Sequence, residues 1–169
     1  ASVDITNINI YSGKINNLFG GSNVDGTVNE SNIFIHDGEV TTLYGGNNIG
    51  GSVDISNIHI IDGVTTNLYG GGNDASTTTT NININNGIVT NLHGGGNNEK
   101  GITTTTNIDL NGGVVTNLYG GGNEAKTTTS NINLLGGMAT NLYGGGNKAG
   151  IDKANINLIG GQVENIYGG

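Results

Sequence analysis

The chain contains no cysteine, no proline and no tryptophan, and its five basic residues are all lysines. Without cysteine there are no disulfides and no thiolate metal sites. Without proline, the commonest obstacle to a continuous ladder of backbone hydrogen bonds is absent. Arginine is the usual reader of phosphates and bases, so its absence and the net charge of −8 argue against a nucleic-acid partner. The same charge disfavours an anionic membrane surface.

Long apolar runs are missing as well, and none approaches the ~20 residues that span a bilayer. We therefore expect no membrane insertion. Apolar residues make up 33% of the chain and aromatic residues 5%, which would give a conventional layered globule a thin core. Only 11% of the residues are charged, and the apolar positions recur regularly, so disorder is not expected. Glycine is abundant instead, at 33 of 169 residues, about three times its average usage.

An internal repeat places most of these glycines. The stretch LYGGGN at 68–73 recurs at 118 and 142, and as LHGGGN at 92; weaker copies read LFGGSN at 18, LYGGNN at 43 and IYGG at 166. A second motif, Asn-Ile-x-(Ile/Leu), precedes each of the seven copies. It begins at Asn7, Asn32, Asn57, Asn81, Asn107, Asn131 and Asn155. The copies are 24 to 26 residues apart, and the length varies only after GGGN, which predicts a bulging loop there.

Each copy predicts strands and turns rather than helices. Ile8 and Ile10 alternate with polar Asn9, a glycine follows as a turn requires, and a second apolar segment leads to Leu18. A third segment, Val3–Ile5 in the first copy and rich in threonine later, connects to the next copy. The sequence thus predicts an all-β chain: a parallel β-helix, or β-solenoid, of about seven coils with three short strands per coil, right-handed as parallel crossovers generally are.

Stacked coils place equivalent residues in columns along the axis. We expect the columns of Ile8 and Leu18 to point inward, and those of Asn7 and Asn23 to form asparagine ladders. The loop acids and Lys100, Lys126 and Lys148 should neutralise one another across coils. Residues 1–169 form a single repeat domain, and because neither end resembles a capping repeat, we expect a fragment of a longer array or end-to-end self-association.

The aromatic column that follows Leu18 is the first candidate site. If the leucines point inward, the aromatic rings point outward, and an exposed tyrosine stripe could stack on sugar rings. The alternative is a structural aromatic ladder, in which stacked rings hide one another's faces. If instead the leucines faced outward, the tyrosines would belong to the core. The candidate carbohydrate-binding residues are Tyr44, Tyr69, Tyr119, Tyr143 and Tyr167.

The threonine-rich segments are the second candidate site. They occupy three successive coils, at 77–80, 103–106 and 127–129, and regular threonine arrays on a flat solenoid face resemble ice-binding surfaces. The alternative explanation is the high strand propensity of threonine and the favourable pairing of threonines across strands. The residues of the predicted threonine face are Thr78, Thr80, Thr104, Thr106 and Thr128.

The sequence predicts no metal site, no cofactor and no enzyme activity. Calcium-binding β-rolls carry Asp after the glycines (GGxGxDxUx), whereas here GGGN is followed by Asp74, Asn98, Glu124 or Lys148. Asp37 and Asp62 should stack on neighbouring coils, but solvated turn residues explain them better than a bound cation. The three histidines lie in different columns. No glycine cluster is followed by the Lys-Ser/Thr of a phosphate-binding loop.

Written as a consensus, the repeat is (T/S)NI-x-(I/L)-xxG-x-V-T-N-L-YGGGN. It resembles the glycine-rich YGGGN repeats of very large surface and adhesin-like proteins of Gram-positive and gut bacteria, over the whole chain and most strongly from Leu68 to Asn147. Ser22, Asn47 and His93 depart from the consensus. The resemblance implies an extracellular or cell-surface location and a role as stalk or adhesin, and it carries no catalytic residues.

The sequence therefore favours a non-enzymatic surface module, adhesin-like, with a polysaccharide or another host or cell-surface ligand as its partner. A structural spacer or self-assembling rod is the alternative. Ice binding through stacked threonines is a second alternative.

Overall fold

The computed structural model describes residues 2–169, which form fourteen β-strands and no helix. The strands make two parallel sheets of seven strands each. The first sheet contains the longer strand of each coil: β1 Ser2–Ile10, β3 Thr27–Ile35, β5 Ile49–Ile60, β7 Asp74–Ile84, β9 Thr103–Leu110, β11 Thr127–Leu134 and β13 Ile151–Leu158. The second sheet contains the shorter strands: β2 Lys14–Phe19, β4 Glu39–Tyr44, β6 Val64–Tyr69, β8 Ile88–His93, β10 Val114–Tyr119, β12 Met138–Tyr143 and β14 Gln162–Tyr167.

Every strand pairs with the equivalent strand of the next coil, so each sheet runs through the chain in steps of two strands. The register brings identical positions together: Ile8 pairs with Ile33, and Leu118 pairs with both Leu92 and Leu142. The predicted β-solenoid of about seven coils, each about 25 residues long, is confirmed. The backbone groups of one coil are therefore bonded mainly to its neighbours along the axis.

Each coil has two strands, however, rather than the three predicted. The third segment of one copy and the Asn-Ile-x-(Ile/Leu) motif of the next form one continuous strand, as in β7. In β7 the buried positions are Ala75 and Thr77 and then Thr80 and Ile82, so the inward–outward alternation slips by one residue between them. The paired residues of β7 and β9 likewise skip Thr78. The strand continues through this slip, so two predicted strands become one.

The core is a set of aliphatic columns between the two sheets. Ile33, Ile58 and Ile82 of the Ile8 column are at most 1% exposed, and Leu43 to Leu142 of the Leu18 column are fully buried. The inward direction predicted for both columns is confirmed. Each buried Leu or Ile side chain contributes roughly 2 kcal/mol to stability. A single coil could not bury these side chains, so the interior shared by stacked coils is the main source of stability.

Glycine serves two different purposes in a coil. Gly38 and its equivalents, such as Gly63, adopt positive φ of 109° and 97°, a conformation that side chains other than glycine rarely take. The glycines of GGGN have no positive φ but lie close to the neighbouring coil. A Cβ on Gly95 would be 2.7 Å from Thr127 Oγ1 and 2.9 Å from the Gly122 nitrogen. These glycines permit close stacking of coils.

The differences in coil length fall after GGGN, as predicted. The longest repeat, from Asn81 to Asn107, contains an extra turn at residues 98–101, closed by a 2.7 Å hydrogen bond from the Gly101 nitrogen to the Asn98 oxygen. The register between β5 and β7 shifts between Ile49 and Ser52. Where the third glycine is replaced by Asn47, its buried side chain accepts from the Ser22 nitrogen at 2.8 Å and donates to the Gly26 and Gly50 oxygens.

Candidate functional site

One continuous column of aromatic rings runs the length of the second sheet. Its members are Phe19, Tyr44, Tyr69, His93, Tyr119, Tyr143 and Tyr167. Neighbouring rings lie 4.7–5.0 Å apart between centroids, and their planes differ by 2–9°. This spacing lies within the range of roughly 4.5–7 Å for interacting aromatic pairs, and it follows from the coil spacing because each ring lies next to the equivalent ring of the coil before it.

Stacking covers the ring faces of the predicted tyrosine stripe. Tyr44 is only 8% exposed, Tyr69, Tyr119 and Tyr143 are half-buried, and Tyr167 in the last coil is 45% exposed. Burial also raises the pKa of Tyr44, Tyr69 and Tyr119 above 10.0. The column thus has the geometry of an aromatic ladder, in which each interior ring is sandwiched between two others and has no free face for a sugar.

His93 occupies the middle of this column. Its ring lies 5.0 Å from that of Tyr69 and 4.7 Å from that of Tyr119, and the side chain is 4% exposed. Its buried Nδ1 has no hydrogen-bond partner. Burial disfavours the imidazolium and lowers the pKa of His93 to about 4, so the ring is neutral at physiological pH and behaves as an aromatic spacer.

The paired threonine face does not form as predicted. Thr78, Thr104 and Thr128 are exposed, but Thr80 and Thr106 are fully buried. Thr78 and Thr80 would share one side of a regular strand, and the slip in alternation puts them on opposite sides. The threonines that follow Thr78 and Thr104 in the chain, Thr79 and Thr105, are half-buried.

Thr80 and Thr106 connect the first sheet to the glycine turns that follow the second sheet. Thr80 Oγ1 donates to the Gly94 oxygen at 2.7 Å, and Thr106 Oγ1 donates to the Gly120 oxygen at 2.6 Å. Ser130 makes the equivalent bond to Gly144 at 3.0 Å. Each hydroxyl belongs to the first sheet and each acceptor to the GGGN segment that follows the second. These side chains satisfy turn carbonyls that would otherwise be buried without a partner.

Both predicted asparagine ladders are present. In the Asn7 column every Nδ2 donates to the Oδ1 of the preceding coil, at 2.7–3.1 Å through all seven coils. The Asn23 column does the same at 2.9–3.0 Å. A third ladder, of Asn67, Asn91, Asn117, Asn141 and Asn165, was not predicted, although the recurring Asn in VTNL was its signal.

A second set of stacked rings was also missed. Tyr11 stacks on His36 at 4.5 Å, and Phe34 stacks on His59 at 4.8 Å. Burial lowers the pKa of His59. These residues belong to the first three coils only, and single aromatic residues outside the repeat consensus gave no periodic signal.

The outer surface of the second sheet carries no charge over four coils. We call this surface the neutral face: it consists of Val64, Ile88, Val114 and Met138, Thr66, Thr90, Thr116 and Thr140, and Asn67, Asn91, Asn117 and Asn141. Val64 and Ile88 are 40% and 49% exposed. Charged residues occupy the same columns only outside these coils, at Lys14, Glu39 and Glu164. The threonine-rich segments lie in the other sheet, so they gave no signal for this surface.

Charged side chains pair across coils, which confirms the expectation for the loop lysines. Lys148 lies 2.9 Å from Glu124, Lys126 lies 3.3 Å from Asp152, and Lys100 lies 3.8 Å from Asp74. All of these pairs are at least partly exposed, so each contributes little to stability. Asp37 and Asp62 each accept a hydrogen bond from the backbone nitrogen of the following glycine.

Residues 2–169 contain no group of three or more His, Cys, Asp or Glu side chains close enough to hold a metal ion. Within the same residues no helix is long and apolar enough to cross a membrane. A shallow groove runs along the glycine turns of the first three coils, lined by Ser12–Lys14, Asp37–Glu39, Gly63 and Val64.

The fold and its side-chain columns define the class of this protein: a parallel β-solenoid built from stacked repeats of about 25 residues. No protein-family model matches the chain, and neither the curated proteins nor the solved structures with which it was compared include a match.

Proposed function

We propose that this chain is a non-enzymatic structural module, a stiff rod that holds its two ends a fixed distance apart. The observation that carries the proposal is the unbroken Asn7 ladder, in which seven side-chain amides are bonded in line through all seven coils. The aromatic column and the aliphatic columns follow the same axis. The residues that recur most regularly thus make contacts between coils.

The resemblance of the repeat to YGGGN repeats of bacterial surface proteins supports an extracellular, cell-surface placement. In that setting the rod would act as a stalk or spacer. The aromatic column supports this role better than it supports carbohydrate binding, because Tyr69 and Tyr143 use both ring faces on neighbouring rings.

Pulling single molecules by their ends tests the proposal. A spacer should resist force along its axis and then unfold in steps of one or a few coils, because each coil contacts only its neighbours. Asn107→Ala removes two ladder bonds, each 2.9 Å long, and should lower the unfolding force. Asn86→Ala is the matched control, since Asn86 is an exposed turn residue outside the ladders. Extension at low force without discrete steps would refute the proposal.

Adhesion through the neutral face is a second candidate function. The charged residues behind the net charge of −8 all lie outside the neutral face. The neutral face itself offers hydroxyl, amide and aliphatic groups side by side. Hydroxyls and amides can exchange hydrogen bonds with sugar hydroxyls, and aliphatic side chains suit the apolar faces of sugar rings. A neutral polysaccharide is the partner that this chemistry favours.

A glycan array separates these ideas. If the neutral face binds, Thr90→Lys together with Thr116→Lys should abolish the signal, and Thr78→Lys together with Thr104→Lys on the other sheet should not. If the tyrosine stripe binds, Tyr119→Ala and Tyr143→Ala should abolish it instead. Absence of any bound glycan would remove the support for carbohydrate adhesion. Ice binding requires thermal hysteresis or ice-crystal shaping by the wild-type chain, and absence of both would end that alternative.

A further inference from the structure

The tyrosines of the aromatic column form two uninterrupted runs. Tyr44 stacks on Tyr69 at 5.0 Å with planes 9° apart. Tyr119 stacks on Tyr143 at 4.7 Å, and Tyr143 stacks on Tyr167 at 4.8 Å. His93 separates the two runs. Three pairs of phenol rings are thus held parallel, in contact and in register.

Two parallel phenol rings held close together are well placed for oxidative coupling. Loss of one electron and the hydroxyl proton turns a phenol into a phenoxyl radical, whose unpaired electron is shared with the ring carbons next to the hydroxyl-bearing carbon. Two such radicals couple by a bond between these carbons. In a stacked pair the fold already holds the two rings parallel, with centroids 4.7–5.0 Å apart, so the pair needs no diffusional encounter and only a local movement of the rings.

We propose that these stacked tyrosines are sites of oxidative cross-linking, at which a one-electron oxidant joins neighbouring coils through dityrosine bonds. Each cross-link forms one carbon–carbon bond. The two rings together release two electrons and two protons, and the hydrogen atoms at the joined carbons move to the oxygens as the rings regain aromaticity. With hydrogen peroxide as terminal oxidant, the two electrons and two protons reduce one peroxide to two molecules of water.

The position of the rings permits the reaction and limits its products. Tyr69, Tyr119 and Tyr143 are half-buried, so a small oxidant can approach their exposed edges while neighbouring molecules cannot reach their faces. Tyr11 provides an internal contrast. It is the most exposed tyrosine, at 69%, but it stacks on His36 and has no tyrosine beside it. If stacking controls the reaction, the links form between neighbouring tyrosines of the aromatic column. If exposure controls it, they form between molecules through Tyr11.

The experiment oxidises the protein at high dilution with peroxide and a peroxidase, and in parallel with a photo-activated small-molecule one-electron oxidant. Dityrosine fluorescence measures the yield, and peptide mapping by mass spectrometry locates each linked pair by the loss of two hydrogen atoms. We expect links between Tyr44 and Tyr69, between Tyr119 and Tyr143, and between Tyr143 and Tyr167. We expect no link between Tyr69 and Tyr119, because His93 lies between them.

Two substitutions sharpen the test. Tyr143→Phe keeps a stacked ring but removes the phenol, so it should abolish both links of the second run and leave the link between Tyr44 and Tyr69 unchanged. His93→Tyr completes the column and should create new links from position 93 to Tyr69 and Tyr119. The second variant follows the repeat consensus and should fold even if the first does not.

Three results would overturn the proposal. Products dominated by intermolecular links through Tyr11 would show that exposure controls the chemistry. An identical pattern in urea-unfolded protein would show that the stack plays no part. Failure of both oxidants to link the stacked pairs, with folding verified by circular dichroism, would show that the rings cannot reach bonding distance.

Discussion

The imidazole of His93 lies parallel to the phenol ring of Tyr119, with centroids 4.7 Å apart and planes 4° apart. A histidine here replaces the tyrosine of the consensus without interrupting the column. It remains stackable because it is buried in its neutral form, and this gives the fold a dependence on pH.

Stability should therefore fall as the pH drops from about 6.5 towards 4. Burial lowers the pKa of His93 from 6.5 to about 4 in the folded chain. Between these pH values the unfolded chain therefore binds a proton at His93 that the folded chain does not bind. Above pH 6.5 the effect vanishes, and below 4 it is complete at about 3 kcal/mol, using ~1.4 kcal/mol per pKa unit. Urea unfolding at several pH values measures it.

His93→Phe provides the control for this pH dependence. The variant keeps a stacked ring that cannot be protonated, so the component of the slope between pH 6.5 and 4 should disappear. His36→Phe should leave that component in place, because His93 is unchanged. A wild-type stability that is flat across this range would show that His93 is protonated without cost.

Removing a buried hydroxyl should destabilise the fold. Thr106→Val deletes the donor of the 2.6 Å bond to the Gly120 oxygen and leaves that carbonyl without its side-chain partner. We expect a loss of about 1–3 kcal/mol in the free energy of unfolding. Thr104→Val, at an exposed position two residues earlier, should change stability by less than about 0.5 kcal/mol. Equal effects for the two variants would contradict the inward assignment of Thr106.

The glycines of GGGN should tolerate no side chain. Gly95→Ala would place a Cβ 2.7 Å from Thr127 Oγ1 and 2.9 Å from a backbone nitrogen, so neighbouring coils would have to separate. We expect a loss of about 1–3 kcal/mol, as for an overpacked core. Gly150→Ala is the matched control, because a Cβ there would have no atom within 4 Å beyond those of Gly150 and its two chain neighbours, and the φ of Gly150 is not positive. Thermal unfolding compares the two; a neutral Gly95→Ala would argue against close stacking.

Much of this architecture follows from the sequence because columns repeat. The spacing of the Asn-Ile-x-Ile motif gives the number of coils, and the Ile8 and Leu18 columns follow from their uninterrupted aliphatic character. The Asn67 ladder was equally accessible from the recurring Asn of VTNL, although Thr42 stands in its column in the second coil.

The sequence does not predict which threonine side chains point into the core. In the run 77–80 every residue is threonine, so the pattern carries no information on where the alternation slips. Only the structure shows the slip after Thr78 that places Thr80 inward. The number of strands per coil depends on the same slip, since the strand continues through it and joins two segments that the sequence pattern separates.

The central claim is that the coils stack into a stiff rod, and spin labelling tests it most directly. Because the chain has no cysteine, Asn9→Cys combined with Asn157→Cys introduces only two label sites. Both residues are exposed and lie in one column, six coils apart. Pulsed electron–electron double resonance should give one narrow distance distribution between the two labels. Its centre should lie near the ~29 Å expected for six steps of ~4.8 Å, allowing for the length of the labels. A broad distribution, or a distance unrelated to the coil spacing, would contradict the account.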